Sequence, residues 1–334
     1  MKIEKLKKKD YKFFCKYLEK FYSKKHIFLK SKKLFDWQYL NRGNYNFYIL
    51  KEKNRIKAIQ GFIPNDRYDK KLGKETIFLS LWSSSETSFG AKLFYYVLKK
   101  IDHQLIAGLG SSDQSFAFQK MINFRCFYFD HYFMTGLKRR KNLINPKFFS
   151  NYKNNFKKIN FTILNSKNIK FLKKKIFQNQ FPKKSINYLK NRYIHHPYYN
   201  YELYELKNEK KSSSIFIIRK CIYKKSIALR IVDYIGDEKD FIYGKYLFNY
   251  LLKKYNADFI DIYCFGIKQK FLKKAGLNNV DDYAKLGLII PNYFEPFKKK
   301  KINLPLSFKL LKNKLPKIRF FKGDSDLDRP NIIT

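Results

Sequence analysis

Along the first part of the chain, Tyr11, Phe14, Cys15, Leu18, Phe21 and Tyr22 fall at helical spacing and predict an amphipathic helix. In residues 34–64, LFDWQYLNRGNYNFYILKEKNRIKAIQGFIP, the runs YNFYIL and IKAIQGFI predict two strands joined by a polar EKNR turn. KETIFLSLWSSSE predicts a strand running into serines. FGAKLFYYVLKKID predicts a helix that is apolar on most faces and therefore buried. QLIAGLGSS then reads as a strand, DQSFAFQKMINF as a helix and FYFDHYFMTG as a closing strand.

The second half replays this order. SINYLKNRYIHHPYYNYELYEL echoes FDWQYLNR, and SIFIIRKCI and SIALRIVDYIGD supply strands. FIYGKYLFNYLLKKYNADF answers FGAKLFYYVLKKIDHQL, FIDIYCFG is again a strand, and KQKFLKKAGL answers FAFQKMINF. Five ordered matches at an offset of roughly 150 residues predict two similar lobes. The expected organisation is a lobe over 1–140, a polar linker over 141–154, a second lobe over 155–297 and a basic tail over 298–334. The fold class is α/β, with two lobes in tandem, each a mixed, mainly antiparallel sheet with flanking helices.

Within each lobe the order is helix, antiparallel strands, strand, Gly-started helix, strand, helix, strand. This resembles the GNAT acyltransferase superfamily, and two such lobes resemble its double-lobed, Fem-like members. The resemblance implies that acetyl-CoA or another acyl-CoA lies in a gap between splayed strands. Its pyrophosphate would meet backbone N–H groups where the central helix opens. In SLWSSSETSFGAKLF the matching residues are Ser83, Ser84, Ser85, Gly90, Ala91 and Lys92. A helix N-terminus offers unpaired N–H donors and the positive end of a dipole, whatever the family. The family's fuller signature has two glycines, where this chain has Gly90-Ala91. The second lobe carries GDEKDFIYGK there, whose acids would repel pyrophosphate, so the first lobe is the expected donor lobe and the second the acceptor wall.

Acyl transfer from a thioester needs a base for the acceptor and a proton for the leaving thiolate. Candidate bases are Glu86, Asp113, Asp233 and Asp261, and Tyr263 is a candidate proton donor. The adjacent His195 and His196 have no third ligand at a recognisable spacing, and no metal is expected. No GxSxG, Walker loop, HExxH or GxGxxG motif points to another enzyme class.

Charge changes this picture only in part. The chain has 72 Lys and Arg against 27 Asp and Glu, a formal net charge of +45. Eleven of the basic residues are Arg, and the abundant Lys, Asn, Ile, Phe and Tyr are residues of A/T-rich codons, so dedicated nucleic-acid binding is not the favoured reading. tRNA enters only if the donor is an aminoacyl-tRNA, as in Fem-type transferases. A polyanion-binding protein on a degenerate scaffold is the remaining alternative. Four scattered cysteines without a CxxC pair disfavour zinc and disulfides and fit a reducing cytoplasm.

In the tail, Leu306, Leu310, Leu311 and Leu315 fall near one helical face before Pro316. Such a basic amphipathic segment can lie on anionic lipid at the inner face of a membrane, or pack on the second lobe. Beyond it, FFKGDSDLDRPN gathers acids in a basic chain. Arg329 stands where a calcium loop needs glycine, which argues against a cation site. GDxDxDRPN resembles the ending of tandem GNAT-like proteins of bacterial surface-polysaccharide pathways. The resemblance implies a nucleotide- or lipid-linked sugar acceptor, and Asp324, Asp326, Asp328 and Arg329, with Asp233, are assigned to it.

Overall fold

The computed structural model describes residues 1–136, 143–144, 159–178, 180–207, 213–292, 294, 297–298, 300–311 and 317–331. Apart from residues 143 and 144, the expected linker lies outside the described residues, as do Leu315 and Pro316. Sixteen strands are seen among the described residues. They are β1 (Lys2–Lys7), β2 (Leu40–Asn41), β3 (Asn44–Glu52), β4 (Arg55–Pro64), β5 (Thr76–Ser84), β6 (Leu105–Leu109), β7 (Arg125–Tyr128) and β8 (Asp130–Thr135). The later ones are β9 (Asn160–Leu164), β10 (Tyr201–Lys207), β11 (Ser213–Tyr223), β12 (Ser226–Ile235), β13 (Phe259–Phe265), β14 (Asn278–Asn279), β15 (Pro305–Leu310) and β16 (Phe320–Phe321). The helices are α1 (Tyr11–Phe21), α2 (Ile27–Lys30), α3 (Lys32–Tyr39), α4 (Thr87–Lys100), α5 (Asp113–Met121), α6 (Ile186–Leu189), α7 (Gly244–Lys254), α8 (Gln269–Lys274) and α9 (Val280–Ala284).

The chain divides into two units. One comprises Met1–Phe127, Pro305–Asn313 and Ser325–Thr334; the other comprises Tyr128–Leu304 and Lys314–Asp324. This differs from the expected boundaries, because the closing strand and the tail each divide between the units. FYFDHYFMTG breaks at Phe129 into β7 and β8, and β8 joins the second sheet.

The first unit's sheet runs β1-β3-β4-β5-β6-β15-β7, with β2 beside β3. β5 and β6 are parallel, linked by α4 as a crossover demands. The alternation of β3 decides what covers each face. Phe47 packs edge-on against Phe14 of α1 and Tyr39 of α3, while Leu50 joins Ala58, Leu93 and Val97 under α4. Ile77, Leu79, Phe94, Ile106 and Phe124 extend that second layer. The tail segment expected to be helical is the strand β15, with Leu306 fully buried opposite Leu109. Alternating Leu306 and Phe308 bury as a strand should, whereas Leu311 stays exposed.

The second unit's sheet runs β9-β10-β11-β12-β13-β8-β14, with β16 beside β13. Here β12 and β13 are the parallel pair, linked by α7. Tyr204, Phe216, Leu229, Ile231, Ile260 and Ile262 bury one face with Leu247, Phe248 and Leu251 of α7 and Leu272 of α8. On the other, Phe133, Ala228 and Phe259 pack with Val280, Leu288, Ile290 and Phe294. Both sheets therefore read in the same order. In each, the sixth position is held by a strand from the other half of the sequence.

Candidate acyl-donor opening

In the first unit β5 and β6 pair from Thr76/Leu105 only to Leu79/Gly108. Beyond Leu79, β5 continues to Ser84 along β4, with a bulge that leaves Leu81 as an extra residue at φ 40°. The parallel strands thus part where α4 begins, and a bulge of this kind is a common way to re-aim a strand beside a site. Gln60, fully buried at the bulge, donates to the carbonyls of Gly61 and Ser80 at 2.8 and 3.0 Å.

The helix after the opening starts at Thr87, three residues before the expected Gly90. Its N-cap, Glu86, makes no side-chain cap bond, so the N–H groups of the first turn have no side-chain acceptor there. The Gly90 N–H donates to the Glu86 carbonyl at 3.2 Å and is not available to a phosphate. What Gly90 supplies is close packing: a Cβ there would stand 2.7 Å from Ser84 Oγ, and Trp82 Nε1 donates to its carbonyl at 3.2 Å. Ser83 Oγ lies 3.3 Å from Tyr17 Oη. Ser85 donates its N–H to Lys57 O, and its buried Oγ has no hydrogen-bond partner among the described residues. Ala91 is half-buried and Lys92 exposed. Parted parallel strands, an uncapped helix start and an orphaned hydroxyl fit a phosphate-bearing acyl donor.

The equivalent place in the second unit is filled. There β12 and β13 pair from Ala228/Phe259 to Ile231/Ile262, and β12 has its irregularity at Val232, which the pairing of Ile217 and Ile218 of β11 with Asp233 and Ile231 skips. The gap receives β16, with Phe321 opposite Cys264 and Phe320 opposite Phe265. Gly323 then donates its N–H to Val232 O at 2.6 Å, in contact so close that a Cβ would collide with that carbonyl and with Tyr193 Oη.

A buried ion cluster holds this segment. Lys184, with no exposed side-chain surface, sits 2.6 Å from both Asp233 oxygens and 3.0 Å from Asp324 Oδ1. Tyr193 Oη donates to Asp233 Oδ2 at 2.6 Å, Phe321 N–H to Asp324 Oδ2 at 2.9 Å, and Arg192 to the Gly323 carbonyl at 3.0 Å. Burial pushes the Asp324 carboxyl up to about 6, with Lys184 opposing. Asp233 and Asp324 are each fully enclosed, so neither presents its carboxylate to a ligand in this arrangement.

The other sequence candidates fall into three groups. Glu86 and Asp113 are exposed, at the starts of α4 and α5, beyond the C-terminal ends of the parallel strands β5 and β6. Asp261 and Tyr263 lie within β13, 1 % and 3 % exposed. Asp261 Oδ2 meets His131 Nε2 at 2.9 Å and Arg230 at 3.2 Å, and Tyr263 stacks on His131. Although burial opposes it, the Arg230 charge and the His131 bond leave the Asp261 carboxyl below its usual range. Asp326 and Arg329 pair with each other in the first unit, half-buried, while Asp328 is 2 % exposed. His196 Nδ1 accepts the N–H groups of Tyr198 and Tyr199, and His195 is exposed. Among the described residues no three His, Cys, Asp or Glu converge as a metal site, and no helix is long and apolar enough to cross a membrane. The sequence reading missed Lys184. Nothing local distinguishes it from the other lysines.

No family model matches the sequence, and a search of curated proteins finds no match. Among solved structures the chain is similar to a GCN5-related N-acetyltransferase from Anabaena variabilis, at 10% identity, covering 93% of this chain and 73% of that one, with a TM-score of 0.56. It is also similar to a conserved protein of unknown function from Enterococcus faecalis, described as a probable N-acyltransferase, at 9% identity, 93% and 72% coverage and a TM-score of 0.55. The fold is therefore GNAT-like, a mixed α/β arrangement with two eight-stranded sheets flanked by helices in one polypeptide.

Proposed function

We propose that the protein is an acyltransferase that takes an acyl group from acyl-CoA in the first unit. The observation that carries this is the contrast between the two openings. The parted β5 and β6 lead to an uncapped helix start, while the corresponding parting in the second sheet holds the chain's own Phe320–Phe321. The acceptor's amine or hydroxyl attacks the thioester carbonyl; an amide or ester forms and the thiol leaves. Glu86 and Asp113, exposed at the same end of the sheet, are the carboxylates offered for the acceptor's proton. The finer reading is an amino or hydroxyl group of a sugar intermediate in envelope polysaccharide synthesis, supported by the GDxDxDRPN ending. It includes descent of the two units from one duplicated lobe, for which their shared strand order speaks.

Ser88→Glu tests the donor site. Ser88 is exposed in the first turn of α4, where an acid is compatible with the helix dipole but repels pyrophosphate. Acetyl-CoA affinity by calorimetry should fall roughly tenfold while the melting temperature holds. Unchanged affinity, or stabilisation of the wild type by tRNA and not by any acyl-CoA, would overturn the proposal.

A further inference from the structure

The segment that fills the second unit's opening ends in a charge cluster with a built-in asymmetry. Phe320 and Phe321, both fully buried, pair with β13, while Arg319 donates its N–H to Phe181 O at 2.9 Å and Gly323 its N–H to Val232 O. Asp324 is the final residue of the segment and of the second unit. Two carboxylates then meet one ammonium, and they do not share it equally. Asp233 takes Lys184 on both oxygens at 2.6 Å, and also accepts from Tyr193 Oη at 2.6 Å and from the Tyr234 N–H at 2.8 Å. Asp324 has less. Its Oδ2 accepts the Phe321 N–H at 2.9 Å, but its Oδ1, 3.0 Å from Lys184, forms no hydrogen bond among the described residues.

A carboxylate enclosed away from water needs donors on its lone pairs. Asp233 has them and keeps its charge, so a proton entering the cluster belongs on Asp324 Oδ1. Burial raises the Asp324 carboxyl to about 6; Lys184 opposes this, and the Asp233 charge adds to the rise. The other charged groups around the segment are engaged elsewhere. Arg192 donates to Gly323 O, Arg319 to Gly236 O and Lys322 to Asn292. On the stretch after β12, Asp237 accepts the Lys239 N–H and Glu238 pairs with Lys317. Burial holds the Tyr193 hydroxyl and the Cys264 thiol well above their usual pKa values, so both stay neutral.

We propose that Phe320–Asp324 is a proton-controlled strap: with a proton on Asp324 it stays seated between β12 and β13, and loss of that proton loosens it. Without the proton, a second negative charge stands beside Asp233 in an enclosed space, facing the same ammonium. The device goes beyond acyl transfer and does not rest on it. Its sign follows from linkage. A raised folded-state pKa gives stability that is full below the unfolded value of about 3.9 and is lost as pH rises through the folded one. Full-length wild type and Asp324→Asn are compared by hydrogen–deuterium exchange, read by mass spectrometry in peptides spanning 317–324. At each pH the ratio of the two rates cancels the intrinsic pH dependence of amide exchange. From about pH 5 to about pH 8 the ratio of wild type to variant should rise about tenfold, because Asn stays neutral throughout. The ratio for 44–52, strand β3 of the first unit, should stay level. A second measurement needs no variant: the high-frequency infrared band of a buried protonated carboxylic acid should be present in the wild type at about pH 5 and fade by about pH 8. A flat or falling exchange ratio, an equal rise in 44–52, or absence of the band would overturn the strap.

Discussion

Lys184 is the residue on which the filled opening turns. It is one cation enclosed with two carboxylates, and removing it leaves Asp233 and Asp324 facing each other without that cation. Lys184→Met should destabilise the protein by about 3–5 kcal/mol in urea unfolding. The pH dependence follows from Asp324, whose folded-state pKa is raised by burial to about 6. A raised pKa means that the folded state binds the proton more tightly. The contribution to stability is therefore full below the unfolded value and lost as pH rises through the folded one. On going from about pH 8 to about pH 5 the wild type should gain stability relative to Asp324→Asn. A trend in the opposite direction would show that the ion pair with Lys184, not the desolvation, governs Asp324. The sequence alone groups the acids of DSDLD, Asp324, Asp326 and Asp328, as one set assigned to an acceptor. It could not show that Asp324 and Asp326 dock in different units, because adjacent residues carry no mark of which distant surface each will meet.

At the scale of elements, the most informative is β15. It is an interior strand of the first sheet, between β6 and β7, although it comes from the tail. Ser307, fully buried, donates its hydroxyl to Gln119 Oε1 at 2.6 Å across 188 residues of sequence. Proline in an interior strand removes a ladder bond whichever neighbour receives it. Ser307→Pro should therefore cost about 3 kcal/mol or more and raise hydrogen exchange in β6, whereas Asn303→Pro, at an exposed position outside any strand, should be nearly neutral. Equal effects of the two would mean that β15 is dispensable. Helix and strand periods were legible for α1, β3 to β6 and β11 to β13. The tail misled because leucines spaced for a helix overlap the alternation of a short strand, and pairing with β6 decided between them.

For the whole molecule the dominant fact is a formal charge of +45. Like charges at this density repel in the folded state, and salt screens that repulsion. Raising sodium chloride from about 0.05 M to about 0.5 M should raise the melting temperature by a few degrees, as followed by circular dichroism. A fall would mean that surface ion pairs such as Lys51–Glu4 and Lys317–Glu238 outweigh the general repulsion. Weaker acyl-CoA binding should accompany the same salt change, since the donor is an anion.

The sequence by itself determined the α/β class, the recurrence of one order of elements and the Ser-rich strand leading into a central helix. These are properties of residues within a few turns of one another, where periodicity, turn residues and charge act directly. Only the tertiary structure decided that the two sheets exchange their sixth strands, that the second opening is filled by Phe320–Phe321, and that Lys184 fastens it. It also moved the role of Gly90 from a phosphate loop to a helix–strand contact. The physical reason is range. Each of these depends on partners tens to hundreds of residues apart, chosen by burial and pairing among many near-equivalent lysines and aromatics, and no local pattern distinguishes the ones that meet.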